Sequence, residues 1–223
     1  MKNGTVKLAT LAVGFAAVML LCGCNTQKAS SIHLAKGKET SLPIAPRPEQ
    51  HPGQSTTSTA RADLRGDEEA VRLKPNDADA HLILGSAYAK LGRLQDAIPE
   101  YNEAIRLRPN FAAAHYNLGI ALGNLGRFAD AEVEFKQVIR LTPDFTEAHY
   151  GLGAVYGKTG RPKDAVPEFK EAIRLSPDSA QAHYGLGLAY SDLGNMAAAS
   201  EEYNILKKLD AALADMLNKR INS

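Results

Sequence analysis

AHYNLGIALGNLGRF, residues 114–128, returns as AHYGLGAVYGKTGRP at 148–162, AHYGLGLAYSDLGNM at 182–196 and AHLILGSAYAKLGRL at 80–94. Histidine thus recurs every 34 residues, at His81, His115, His149 and His183, and Gly85, Gly119, Gly153 and Gly187 keep the same interval. So do Pro75, Pro109, Pro143 and Pro177. A fixed period of this size marks a stack of like supersecondary units, none of which can bury its apolar face alone. Function is therefore to be sought on a surface shared by several units.

With Ala78, Ala112, Thr146 and Ala180 as first positions, position 7 is always Leu and position 20 always Ala (Ala97, Ala131, Ala165, Ala199). Position 24 is always aromatic: Tyr101, Phe135, Phe169 and Tyr203. Asn110 follows Pro109 as the expected helix N-cap, matched by Asn76, Asp144 and Asp178, since these side chains can accept from free first-turn amides. A helix through Leu118 and Leu122 is expected to stop at Gly126, where a residue without Cβ can adopt a left-handed turn; Gly92, Gly160 and Gly194 are its equivalents. A second helix follows, with Phe128, Ala131, Phe135, Val138, Ile139 and Leu141 as its apolar set and Arg140 near its negative end. Pro99 and Pro167 lie near the start of this helix, where they cost little.

These residues resemble the tetratricopeptide repeat family, whose 34-residue pattern has a large ring at position 4, Leu-Gly at 7 and 8, Tyr at 11, Ala at 20, an aromatic at 24, Ala at 27 and Pro at 32. The resemblance covers residues 75–213 and implies an all-α fold, an α-solenoid of four tetratricopeptide helical hairpins with a helical cap at each end. Here His stands for Trp at position 4, Leu122 for Tyr at 11, Val138 and Leu206 for Ala at 27, and Ala211 for the last Pro. That last change fits a helix running on through Leu209, Leu213, Met216 and Leu217, with residues 214–223 as the end of a C-terminal capping helix. At the other end, AVRLKP at 70–75 parallels AIRLRP at 104–109, but Asp67 and Asp63 fill the aromatic and alanine positions. Residues 61–74 thus read as an N-terminal capping helix, a half-repeat.

The histidines cannot share a metal. Packed helices lie about 8–10 Å apart, whereas zinc holds its nitrogens at about 2.0–2.1 Å. The preferred reading is an imidazole that fills the ring slot between the two helices of its own hairpin; a pH-sensitive role is the remaining one. No metal or other cofactor is expected. No P-loop, GxSxG, HExxH or dinucleotide-binding glycine turn occurs, and the Gly-x-Gly at 151–153 and 185–187 lies inside an expected helix. Asp67, Glu68 and Glu69, like Glu201 and Glu202, read as a solvated helix face. The chain is not expected to be an enzyme. A formal charge of +1, from 26 basic and 25 acidic residues, with no basic stripe, argues against nucleic acid. With no Trp and 6% aromatic residues, no platform for sugars or bases is suggested.

The first residues form a separate device. MKNGTVK carries two lysines, LATLAVGFAAVMLL is apolar but shorter than the roughly 20 residues of a spanning helix, and CGC follows. LCGC, with Leu21 three residues before Cys24, resembles a bacterial lipoprotein signal, which implies cleavage of residues 1–23 and lipidation at Cys24. Plain cleavage and an uncleaved anchor are the alternatives. Asn25, not Asp, favours by the same resemblance the outer membrane, facing the periplasm. Residues 24–60, with Pro43, Pro46, Pro48, Pro52 and the run STTSTA, read as a disordered tether.

In the tetratricopeptide family the first helix of each hairpin lines a concave groove. Positions 5, 9, 12 and 13 there are Leu82, Ser86, Ala89 and Lys90; Tyr116, Ile120, Gly123 and Asn124; Tyr150, Ala154, Gly157 and Lys158; and Tyr184, Leu188, Ser191 and Asp192. A tyrosine row with small neighbours suits an extended or helical peptide. The Lys and Asn pair with which chaperone-binding members grip a terminal carboxylate is missing at positions 5 and 9. The resulting expectation is a lipid-anchored adaptor that binds a protein or peptide partner in the cell envelope, pilotin-like or serving peptidoglycan remodelling. The alternative is an array that self-associates as a structural platform.

Overall fold

The computed structural model describes residues 54–222, with side chains described from Asp63. The leader, Cys24 and residues 25–53 lie outside the described residues.

Among the described residues the chain is all helical. Helix α1 (Gln54–Leu73) is followed by four hairpins: α2 (Ala78–Lys90) with α3 (Leu94–Leu107), α4 (Ala112–Asn124) with α5 (Phe128–Leu141), α6 (Thr146–Lys158) with α7 (Pro162–Leu175), and α8 (Ala180–Asp192) with α9 (Met196–Leu209). Helix α10 (Ala211–Ile221) ends the stack. The architecture is the expected α-solenoid.

Each hairpin turns on its glycine. Gly92, Gly126, Gly160 and Gly194 have φ of 73°, 76°, 70° and 74°, in the left-handed region where a Cβ would be strained. The Arg93 amide donates to the Tyr88 carbonyl at 2.9 Å and the Gly92 amide to the Ala89 carbonyl at 3.0 Å. This crossed pair is the Schellman arrangement, which satisfies carbonyls that the helix end would orphan. The same pair recurs at the other three glycines.

The first helices begin one residue later than expected. Their N-caps are Asp77, Phe111, Phe145 and Ser179, so Asn76, Asn110, Asp144 and Asp178 sit in the preceding turn. Asp77 accepts from the amides of Asp79 and Ala80, and Ser179 from that of Ala182. The two phenylalanines cannot cap in this way. Their rings pack instead: Phe145 lies 5.0 Å from the Tyr116 ring, and the Arg108 guanidinium lies 4.2 Å over Phe111.

Units stack through the ring at position 24. Phe135 is wholly buried, and its edge lies against Gly119 of its own hairpin and Gly151 of the next. Phe169 lies in the same way between Gly153 and Gly185. The Gly-x-Gly pair inside α6 is therefore a slot for two successive rings, one on each side of the helix, whereas in α8 Gly185 meets Phe169 and Gly187 meets Leu217 of α10.

Both ends differ from the expected boundaries. Helix α1 starts at Gln54, so its first turns take residues 54–60 from the expected tether; Leu64 is buried where α1 meets α2. At the other end α9 does not run on. It stops at Leu209, Asp210 becomes an N-cap that accepts from the amides of Ala212 and Leu213, and α10 begins at Ala211. The four-residue connection of the earlier units shrinks to one residue, because Asp can cap where Arg108, Thr142 and Ser176 stand in the earlier units. Leu213, Ala214 and Leu217 of α10 are buried against α8 and α9. No described helix is long and apolar enough to cross a membrane.

Candidate functional site

Successive first helices, α2, α4, α6 and α8, touch one another, whereas successive second helices make no comparable contact. The stack therefore curves with its first helices inside, and they form one continuous inner face.

On that face the tyrosines lie deeper than the row of rings expected from the sequence. Tyr116, Tyr150 and Tyr184 are only 6–7% exposed. The Tyr116 ring tilts against Phe135 at 6.0 Å and Phe145 at 5.0 Å, and Tyr150 lies 5.8 Å from Phe169. Burial, with the Glu147 carboxylate nearby, pushes the Tyr116 phenol well above its ordinary pKa. These rings form the floor of the face and join units, and they offer a ligand little area. Ile120 and Ala154 are buried with them.

Of the remaining inner positions, Gly123 and Ser191 are buried and the others reach solvent. Leu82, Ser86, Asn124 and Leu188 are half-buried, and Lys90, Lys158 and Asp192 are exposed. The Asn124 Oδ1 is buried without a hydrogen-bond partner. Gly157 is exposed, and a Cβ added to it would meet nothing within 4 Å. At the C-terminal end, Arg220 of α10 donates to Asp192 at 2.7 Å, so the cap closes that end of the face with an ion pair.

The histidines occupy the expected ring slot, with partners that reading the sequence missed. Nδ1 of His81, His115, His149 and His183 lies 2.6–2.7 Å from Oε2 of Glu100, Glu134, Glu168 and Glu202 on the second helix. Nε2 lies 2.9–3.0 Å from the carbonyl oxygens of Pro75, Pro109, Pro143 and Pro177. The glutamates recur at the histidine's own 34-residue interval, at position 23 of every unit, a signal the sequence did contain. Burial favours a neutral ring at His81 and His115. The hydrogen bonds to Glu100 and Glu134 and to the proline carbonyls outweigh it, so both pKa values are raised. Ring nitrogens engaged on both sides are not available as metal ligands.

Family models match residues 85–214 of this architecture: residues 85–126 and 124–160 match a model described as TPR repeat, and residues 155–214 one described as Tetratricopeptide repeat. Together they span more than half of the chain. The chain belongs to the tetratricopeptide repeat family. A search of curated proteins found no match. Among solved structures, this tetratricopeptide protein is similar to a MamA protein at 27% identity, with a TM-score of 0.64 over 69% of this chain and 84% of that one. A MamA fragment from Desulfovibrio magneticus RS-1 shares 24% identity, with a TM-score of 0.66 over 70% and 89% of the two chains. YrrB, described as a TPR protein with an unusual peptide-binding site, shares 21% identity, with a TM-score of 0.61 over 66% and 76%. The last two likenesses show the fold alone.

Proposed function

We propose that this chain is a non-enzymatic adaptor that binds a protein or peptide on the inner face of its first helices. The observation that supports this is the continuity of that face across four units, with a rigid buried floor and accessible Lys90, Asn124, Gly157 and Lys158 above it. A rigid floor lowers the ordering cost of binding, and small residues leave room for a partner's backbone or side chains. The fold is one on which YrrB carries a peptide-binding site. We further propose that Cys24 is lipidated and holds the adaptor to the bacterial envelope, periplasm-facing and on the outer membrane, in a pilotin-like or peptidoglycan-remodelling complex. The support for the anchor is the LCGC segment and the apolar stretch before it.

Gly157 supplies the test. Gly157→Arg places a long side chain into open space on the inner face and leaves the core untouched. Crosslinking in intact cells, capture through a C-terminal tag and mass spectrometry should recover an envelope partner with the parent chain and lose it with the variant, at unchanged helicity. Equal recovery would move the site to another face. Cys24→Ser should abolish fatty-acid labelling and release the chain to the soluble fraction; persistent labelling would remove the anchor from Cys24.

One observation supports self-assembly as a second reading. Position 6 of α6 and α8 faces the preceding unit's ring, but in α2 this position is Ile83, and Asp67 replaces the ring. Ile83 is 55% exposed and Leu73 67%. Sedimentation of the parent chain and of Ile83→Asp across concentrations separates the readings: a dimer that the substitution abolishes supports self-association through the N-terminal end.

A further inference from the structure

The binding role makes no use of the four histidines, yet their geometry constrains where protons sit. Each ring is only 5–7% exposed, with Nδ1 against a carboxylate and Nε2 against a carbonyl. A peptide carbonyl can only accept, so Nε2 carries a hydrogen. An ionised carboxylate can also only accept, so Nδ1 carries one too, and a ring with both is an imidazolium. Moving that proton to the glutamate would place it on the weaker base, since imidazole ordinarily exceeds a glutamate carboxylate by about two pKa units.

The three groups belong to three elements. The Pro109 carbonyl belongs to the connection that leaves α3, His115 to α4 and Glu134 to α5. Each ring thus ties the connection from the preceding element to both helices of the following unit, and the arrangement occurs four times along the stack.

We propose that His81 and His115 are proton-dependent staples, each held as an imidazolium between a glutamate and a proline carbonyl, and that the array loosens at these two joints when their protons leave on alkalinisation. The neighbouring charges are those of the second helices. Glu100 and Glu103 face His81, Glu134 and Arg140 face His115, Glu168 and Glu171 face His149, and Glu202 faces His183. From the preceding connection each ring receives the proline carbonyl. If Nδ1 loses its hydrogen, two lone pairs face each other across 2.6–2.7 Å; if Nε2 loses its hydrogen, a carbonyl is left unsatisfied. Either loss breaks one side of the staple.

The sign follows from linkage. For His81 and His115 the folded state holds protons that the unfolded chain releases near the ordinary histidine value of about 6.5. The staple is therefore fully made below that value and is lost as pH rises through the raised folded value.

The test uses the full chain carrying His33→Ala and His51→Ala, so that four imidazoles remain for 15N NMR. At pH 7 both nitrogens of the His81 and His115 rings should bear hydrogen; a bare nitrogen on either would overturn the proposal. Amide protection factors in residues 76–81 and 110–115 should fall between pH 6.5 and 9.5, as the protons held in the folded state are lost. Unchanged protection, or one collapse of all helices together, would also overturn it. Glu134→Gln keeps an acceptor but removes the charge, so the fall at residues 110–115 should begin at lower pH while the other joints keep their profile. An unshifted profile in a variant of normal helicity would mean that the charged pair does not hold the joint.

Discussion

Phe169 and Gly185 belong to neighbouring units, and the ring comes so close to α8 that a Cβ on Gly185 would lie 2.5 Å from its Cε1. The ring cannot withdraw, because Gly153 holds its other side at similar range. Gly185→Ala is therefore expected to destabilise the array by about 1–3 kcal/mol through overpacking. Gly157→Ala, in a helix of the same length with open space at the new methyl, is expected to stabilise it by about 0.5–1 kcal/mol. Urea unfolding of the two variants reads the sign directly. Stabilisation by both would show that the ring has room the structure denies it.

The 34-residue period made the solenoid legible because each unit repeats the same physical devices. Gly126 could be assigned to a left-handed turn from its place after an apolar helix face, and its φ of 76° agrees. What periodicity cannot give is depth. Tyr116 lies on the inner face as its position implies, but its burial depends on Phe145, the N-cap of the next unit's α6. At Phe111 and Phe145 a packed ring stands at the N-cap where Asn110 and Asp144 were expected, and at the other two helices Asp77 and Ser179 cap one residue later as well. The histidine partners were legible and went unread: Glu134 stands in plain period with His115, but only the hairpin geometry brings them to 2.6 Å.

Asp210 decides where the last hairpin ends. It accepts from the amides of Ala212 at 2.9 Å and Leu213 at 3.1 Å, and so starts α10 one residue after α9 stops. Asp210→Ala should cost about 0.5–2 kcal/mol and loosen α10 in particular. Asp210→Asn should recover most of that loss, because an amide oxygen accepts in the same place. Limited proteolysis after Leu209 reports on the cap: faster cleavage in the alanine variant and parent-like cleavage in the asparagine variant are expected, and equal rates in all three would remove Asp210 from this role.

Leu217 of α10 fills the space beside Gly187 that a ring fills beside Gly119 and Gly153 in the middle units. It is wholly buried, and a Cβ on Gly187 would press on its Cδ2. Leu217→Ala should cost about 2–5 kcal/mol, since the cap is docked largely by this side chain. Gly187→Ala alone should also destabilise. Combined with Leu217→Ala, however, the added methyl enters space that the leucine has vacated, so the two costs should not add. A coupling of about 0.5–3 kcal/mol in a double-mutant cycle, read by thermal or urea unfolding, is expected for groups in direct contact. Additive costs would mean that Leu217 and Gly187 do not share the slot, and that the cap is held by Leu213 and Ala214 instead.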